Sequence, residues 1–159
     1  MAGRIEARLA ELGLELPRPG RPAGTYVPYV VTGSLVFVSG QVPLALEGIA
    51  YRGKLGRDLS PEEGQAAARL CAVNLLAQLR EACGGDLDRV RRCVKIGGFV
   101  NCTDDFQAHP AVLDGASDFL VEVFGEAGRH ARFAVGAPSL PFDSAVEIDG
   151  IFEVAPESE

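Results

Sequence analysis

The chain has 159 residues, 47% of them apolar, and a formal net charge of −7. That length fits one domain with room for a proper core. Lys and Arg are scattered rather than blocked, which argues against nucleic-acid binding as the main activity, because phosphate contacts need concentrated positive charge. No stretch is long and charge-free enough to span a bilayer, and Met1-Ala2-Gly3-Arg4-Ile5-Glu6 lacks the apolar run of a signal peptide. Four cysteines without CxxC spacing (Cys71, Cys83, Cys93 and Cys102) then fit reduced thiols in a cytoplasmic protein.

Residues 4–12 read as a short amphipathic helix with Ile5, Leu9 and Leu12 on one stripe, stopped by Gly13. Pro17, Pro19 and Pro22 make an irregular link up to about Gly24. Tyr29-Val30-Val31-Thr32, Gly33-Ser34 and Leu35-Val36-Phe37-Val38-Ser39 then spell a hairpin. Its second arm is apolar at successive positions, which predicts cover on both faces. Gly40-Gln41-Val42-Pro43 ends that arm, and residues 47–58 hold a short strand or loop.

Ser60-Pro61-Glu62-Glu63 announces a helix on three counts: an N-cap Ser, a first-turn Pro and a Glu placed for a capping box. Ala67, Leu70, Cys71, Leu75 and Leu79 continue at helical period until Gly84-Gly85. After the linker 86–90 comes a strand in which Val94, Ile96, Val100 and Cys102 share a face. Gly97-Gly98 within it marks a bulge or a close backbone approach. Thr103-Asp104-Asp105 is turn-like, residues 111–125 form a helix, and residues 131–137 a strand. The last strand, residues 145–154, sets Val146, Ile148, Phe152 and Val154 on one face and Glu147, Asp149 and Glu153 on the other.

This order predicts an α+β domain: one mixed sheet with two helices on one face. The other face keeps apolar residues, and a homo-oligomer is the economical way to cover them.

Several chemistries are excluded by spacing. His109 and His130 each stand alone, without HxxH or HExxH, so a triad or zinc site has no support, and no GxGxxG or Walker motif opens a helix. His130 reads as a surface loop residue. Arg132 lies inside an apolar strand with Ala134 and Gly136 on its own face. A planar guanidinium beside small residues suits a carboxylate; the alternative is an internal ion pair with Glu147 or Asp149. Glu147 itself alternates with apolar residues and reads first as part of a solvated face. Ser39-Gly40-Gln41 either presents backbone N–H groups to an anion or is a plain turn. Cys102 reads as packing, having no His or Lys close in sequence to activate it. Tyr26 and Tyr29 suit a pocket wall or an interface, and Arg89, Arg91, Arg92 and Lys95 form the one local basic cluster.

Taken together, these segments resemble the RidA/YjgF family, the reactive intermediate deaminases once called L-PSP endoribonucleases or translation inhibitors. The pieces are Leu35-Val36-Phe37-Val38-Ser39-Gly40-Gln41-Val42-Pro43, then Asp86-Leu87-Asp88-Arg89-Val90, then Thr103-Asp104-Asp105-Phe106. Most specific is Ala131-Arg132-Phe133-Ala134-Val135-Gly136, followed by Leu140-Pro141 and Val146-Glu147-Ile148. The resemblance implies a chorismate-mutase-like fold, a homotrimer with clefts between subunits, and hydrolysis of enamines and imines such as 2-aminoacrylate to 2-keto acids and ammonia. It implies a small-molecule carboxylate as partner, no membrane, and neither metal nor organic cofactor, since a protonated imine is already electrophilic.

Carried over by residue, Arg132 would hold the substrate carboxylate and Glu147 would position or activate water. Tyr26 would wall the pocket, and Ser39 and Gly40 would line it. The chain departs from the family at Ala134, where many members carry Cys, and at Phe133, where a small Ser is usual. Asp114 stands near the place of a common Asn in the cleft. The resemblance divides the chain into an N-terminal helix and linker (1–25), a RidA-like domain (26–155) and a polar tail (156–159), and places it in a longer subgroup. A non-catalytic carboxylate-binding or regulatory trimer is the alternative function, and RNA cleavage a third.

Overall fold

Gly33 and Ser34 join strands β1 (Tyr29–Thr32) and β2 (Leu35–Gln41), with Thr32 paired to Leu35. Gly33 has φ of +58°, as so tight a hairpin requires. In this computed structural model, which describes residues 3–19, 21–22 and 24–157, the hairpin edges a five-stranded sheet. Met1, Ala2, Gly20 and Ala23 of the expected N-terminal segment, and Ser158 and Glu159 of the expected tail, lie outside the described residues.

The sheet continues through β7 (Val146–Val154), β5 (Val90–Asn101) and β6 (Ala131–Ala137), in the order β1-β2-β7-β5-β6. Every pairing is antiparallel except β5 with β6, whose parallel register needs a long crossover, supplied by helix α3 (His109–Phe124). Two short strands, β3 (Leu44–Ala45) and β4 (Gly48–Ile49), form a separate ribbon.

Helix α2 (Pro61–Ala82) starts as its sequence dictates. Ser60 Oγ accepts from the Glu63 amide at 3.2 Å, and Glu63 Oε1 accepts from the Ser60 amide at 3.0 Å. Helices α2 and α3 cover one sheet face, where Val36, Val38, Ile96, Val100, Ile148 and Phe152 are buried. Helix α1 (Arg4–Glu11) adds Ile5 and Leu9 to this core. Its free N-terminal amides, on Arg4 and Ile5, donate to the Asp88 carboxylate at 2.9 Å each. No helix among the described residues is long and apolar enough to cross a membrane.

Three sequence expectations change. Strand β2 is covered on one face only within a single chain: Val36 and Val38 are buried, but Phe37 is 42% exposed. In β5 a register shift between Cys93 and Lys95 turns Cys93 into the core in place of Val94. A second shift falls between Val90 and Arg92, and of the two readings of Gly97-Gly98 the close approach holds: a Cβ on Gly98 would overlap Leu113 of α3. Helix α3 begins at His109, two residues before the periodic apolar run, with Pro110 in its first turn.

Candidate functional site

Residues paired across a ladder point the same way, and that rule sorts the candidates onto two faces. Arg132 pairs with buried Ile96, and its side chain reaches α3. Glu147 pairs with Phe99, which packs edge-on against Phe133 at 5.5 Å on the uncovered face. Within one chain, Arg132 on edge strand β6 and Glu147 on β7 thus lie on opposite faces with β5 between them. The ion pair considered between Arg132 and Glu147 or Asp149 is not made. The partner is Asp114 on α3: Arg132 Nη1 lies 2.9 Å from Asp114 Oδ1. The same nitrogen donates to Ser117 Oγ at 3.0 Å, and Nη2 reaches the Pro110 carbonyl at 3.4 Å.

The small residues beside Arg132 have a packing cause. Ala134 packs against the core, and a Cβ on Gly136 would stand 2.8 Å from both Cys102 Sγ and His109 Nε2. The expected concavity on that side is largely filled by these neighbours. Asp114 and Ala134 do accompany Arg132, on α3 and β6 respectively.

A second group gathers at the other end of the sheet order. Tyr26, Ser39 and Gly40 line a cleft of about 370 Å³ together with Arg52 and Phe142. Gly40 falls in the register slip of β2 between Val38 and Gln41, which lets the Glu147 side chain lie over it: a Cβ there would be 2.7 Å from Glu147 Oε2. Burial, and then the neighbouring Asp149 charge, push the Glu147 carboxyl above its ordinary value. Ser39 offers no spare amide, because its N–H donates to Pro28 O at 2.9 Å and its hydroxyl donates to Val27 O at 2.8 Å.

His130 does stand in the loop before β6, but it is not on the surface. Half-buried, it meets Ser117 Oγ through Nε2 at 2.9 Å and the Gly128 carbonyl through Nδ1 at 2.6 Å. Burial lowers its pKa. Cys102 does have a histidine beside it, since α3 brings His109 Nε2 to 3.4 Å from its sulfur, yet burial still pushes the thiol up. The basic cluster is partly spent on the fold. Arg89 bonds Ala155 O and pairs with Glu157, while Arg92 bonds Arg129 O.

Ser117, Arg52 and Phe142 escaped the sequence reading. Ser117 was findable, being three residues after Asp114 and so on the same helix face. Phe142 was not: its φ of +60° arises from a turn whose carbonyl Arg52 Nη1 holds at 3.0 Å. Among the described residues, no cluster of three or more His, Cys, Asp or Glu side chains is arranged to hold a metal ion.

The family profile described as "YjgF/chorismate_mutase-like, putative endoribonuclease" matches residues 6–153. The chain belongs to the RidA/YjgF family. Its mixed sheet with helices on one face is the chorismate-mutase-like fold of that family. Protein TCP17 of Trypanosoma cruzi is 48% identical over 154 residues, covering 96% of each chain. A structure from Shewanella oneidensis described as a putative endoribonuclease is 41% identical, with TM-score 0.92 over 96% of this chain and all of that one. Escherichia coli TdcF, solved with bound serine, is 26% identical, with TM-score 0.61 over 87% of this chain and 94% of that one.

Proposed function

We propose that this protein hydrolyses small reactive imines and enamines, of the 2-aminoacrylate kind, to 2-keto acids and ammonia, in clefts between the subunits of a cytoplasmic homotrimer. The observation that carries this reading is the division of the site. Arg132 with Asp114 and Ala134 lies at one sheet edge, and Glu147 with Tyr26, Ser39 and Gly40 lies elsewhere, so neither half is complete in one chain. Juxtaposing two copies completes it. The uncovered sheet face, with Phe37, Phe99, Phe133 and Val135 each 37–43% exposed, supplies the apolar contact for that assembly. That TdcF was solved with serine supports a small carboxylate-bearing ligand for a fold of this kind.

The chemistry needs an anchor and a base. Arg132 anchors the carboxylate through donors left free by Asp114 and Ser117. The enamine tautomerises to an imine that is protonated on nitrogen; its iminium carbon accepts the oxygen of water while a water proton passes to Glu147. The C=N π electrons go to nitrogen. Glu147 returns that proton to the nitrogen, and as the C–N bond breaks the hydroxyl proton passes back to Glu147, closing C=O and releasing ammonia and the 2-keto acid. A carboxylate whose proton affinity is raised by burial suits both steps, since it must take a proton and give it back.

The test is 2-keto acid formation from 2-aminoacrylate generated in situ by a serine dehydratase. Wild type is expected to accelerate it, and Arg132→Ala, checked for an unchanged melting curve, to lose the acceleration. Ligand binding by folded wild type with no turnover would make the site a binding module instead.

A further inference from the structure

We infer that the Arg132–Asp114 pair reads a zwitterion, so that the site takes an α-iminium or α-ammonium acid in preference to a 2-keto acid or a simple carboxylate. This rests on the reading of Arg132 as carboxylate anchor and narrows the ligand class at that anchor.

A guanidinium has five N–H donors. Here Nη1 is engaged by Asp114 at 2.9 Å and Ser117 at 3.0 Å, Nη2 makes one long contact to Pro110 O at 3.4 Å, and Nε has no partner among the described residues. One donor edge therefore remains open. Asp114 is engaged through Oδ1 alone, its Oδ2 has no partner among the described residues, and its side chain is 51% exposed against 22% for Arg132. The pair thus offers an outward acceptor of negative charge beside an outward donor edge of positive charge.

Two opposite unit charges side by side largely cancel at the position of an approaching monoanion, which gains from Arg132 what it loses to Asp114. A ligand with a protonated nitrogen one carbon away from its carboxylate meets both charges with the right sign. Protonated 2-iminoacids have that arrangement. Asp114 would then hold the nitrogen in its protonated state, which keeps the adjacent carbon electrophilic. Once C–N cleavage removes the cation, the 2-keto acid faces Asp114 with only its negative charge, and release is favoured.

Three ligands on one carbon skeleton test this by NMR titration of the full chain: L-alanine, pyruvate and propionate. Wild type should bind L-alanine about tenfold more tightly than either anion, about 1.4 kcal/mol. Asp114→Asn, isosteric and checked by thermal melting, should level that ratio by weakening L-alanine and strengthening pyruvate. Arg132→Ala should weaken all three. Equal or tighter pyruvate binding by wild type, no binding of any of the three, or an unchanged ratio in Asp114→Asn overturns the inference. If Arg132→Ala alone abolishes binding while the ratio is indifferent to Asp114, the anchor stands and only the zwitterion reading falls. If Arg132→Ala changes nothing, the anchor itself is wrong.

Discussion

Ser117 Oγ stands 2.9 Å from His130 Nε2 and 3.0 Å from Arg132 Nη1, so one hydroxyl links an imidazole to the candidate anchor. The network assigns the proton positions. His130 Nδ1, 2.6 Å from Gly128 O, carries the hydrogen; Nε2 accepts from Ser117; and the Ser117 oxygen accepts from Arg132. Burial favours this neutral ring, and the Arg132 charge adds to the effect, so the folded pKa is lower than the unfolded one. The unfolded chain then protonates first, at about 6.5. Stability is complete above that pH and declines as pH falls through the window beneath it. The melting temperature of wild type should drop more steeply below about pH 6.5 than that of His130→Gln. Parallel curves would remove His130 from this network.

Gly40 has space for nothing larger because Glu147 occupies it. In Gly40→Ala the new Cβ would press on Glu147 Oε2, now 2.7 Å away. That oxygen ends a flexible side chain, so the fold should lose no more than about 1 kcal/mol. The carboxylate is displaced, however, and turnover should fall by about 10²-fold, as a misplacement near 1 Å costs. Imine turnover together with a denaturant midpoint separates the two effects. A large loss of stability with normal turnover of the folded fraction would contradict the assignment.

The capping box at Ser60, the Gly33-Ser34 hairpin and the strand 131–137 were all legible in the sequence, because each depends on neighbours within a few residues. The faces were harder. A one-residue slip at Cys93 moved Val94 out of the core, and nothing local to that strand marks it. The partner of Arg132 was misread for the same reason. Alternation in the last strand suggested Glu147 or Asp149, but which face Arg132 takes depends on α3 crossing over β6. Residue types at the site were readable, and their division into two halves was a tertiary fact.

Gly115 is the tightest point between the helices. A Cβ there would overlap the backbone carbonyl of Gln65 in α2, which has no rotamer with which to yield. Gly115→Ala should therefore cost about 1–3 kcal/mol, despite the better helix propensity of Ala. Chemical denaturation measures it, and a neutral or stabilising result would mean that α2 and α3 sit further apart.

Asp88 reaches from the turn before β5 to cap α1, and its carboxyl is held below the usual range by the Ile5 and Arg4 amides. Asp88→Ala should cost about 1 kcal/mol, a typical N-cap loss. The depressed pKa means that this contribution is present above the unfolded value, about 3.9, and disappears as pH falls through the folded one. The stability gap between wild type and Asp88→Ala should close in acid, and hydrogen exchange of α1 should be the faster in the variant at neutral pH. A gap that persists in acid would assign the loss to packing against Gly3 rather than to the cap.

Phe99 is the sharpest probe of assembly. It packs edge-on against Phe133 at 5.5 Å in the middle of the uncovered face and is 42% exposed, although burying apolar surface of this kind is favourable. Lys95 already lies over the Phe133 ring at 5.6 Å, so a further charge on this face meets apolar surface on one side and a cation on the other. Phe99→Glu leaves the helix-side core untouched and should preserve the monomer fold. Across a symmetric interface, however, each subunit would bury a carboxylate, and the repeated charges would repel. Light scattering should report a trimer for wild type and a monomer for Phe99→Glu. Turnover should vanish with the trimer, both because Arg132 and Glu147 would no longer be brought together and because the new carboxylate stands directly across the ladder from Glu147. A monomeric variant that keeps full activity would show that one chain suffices for catalysis, and the divided site would have to be abandoned.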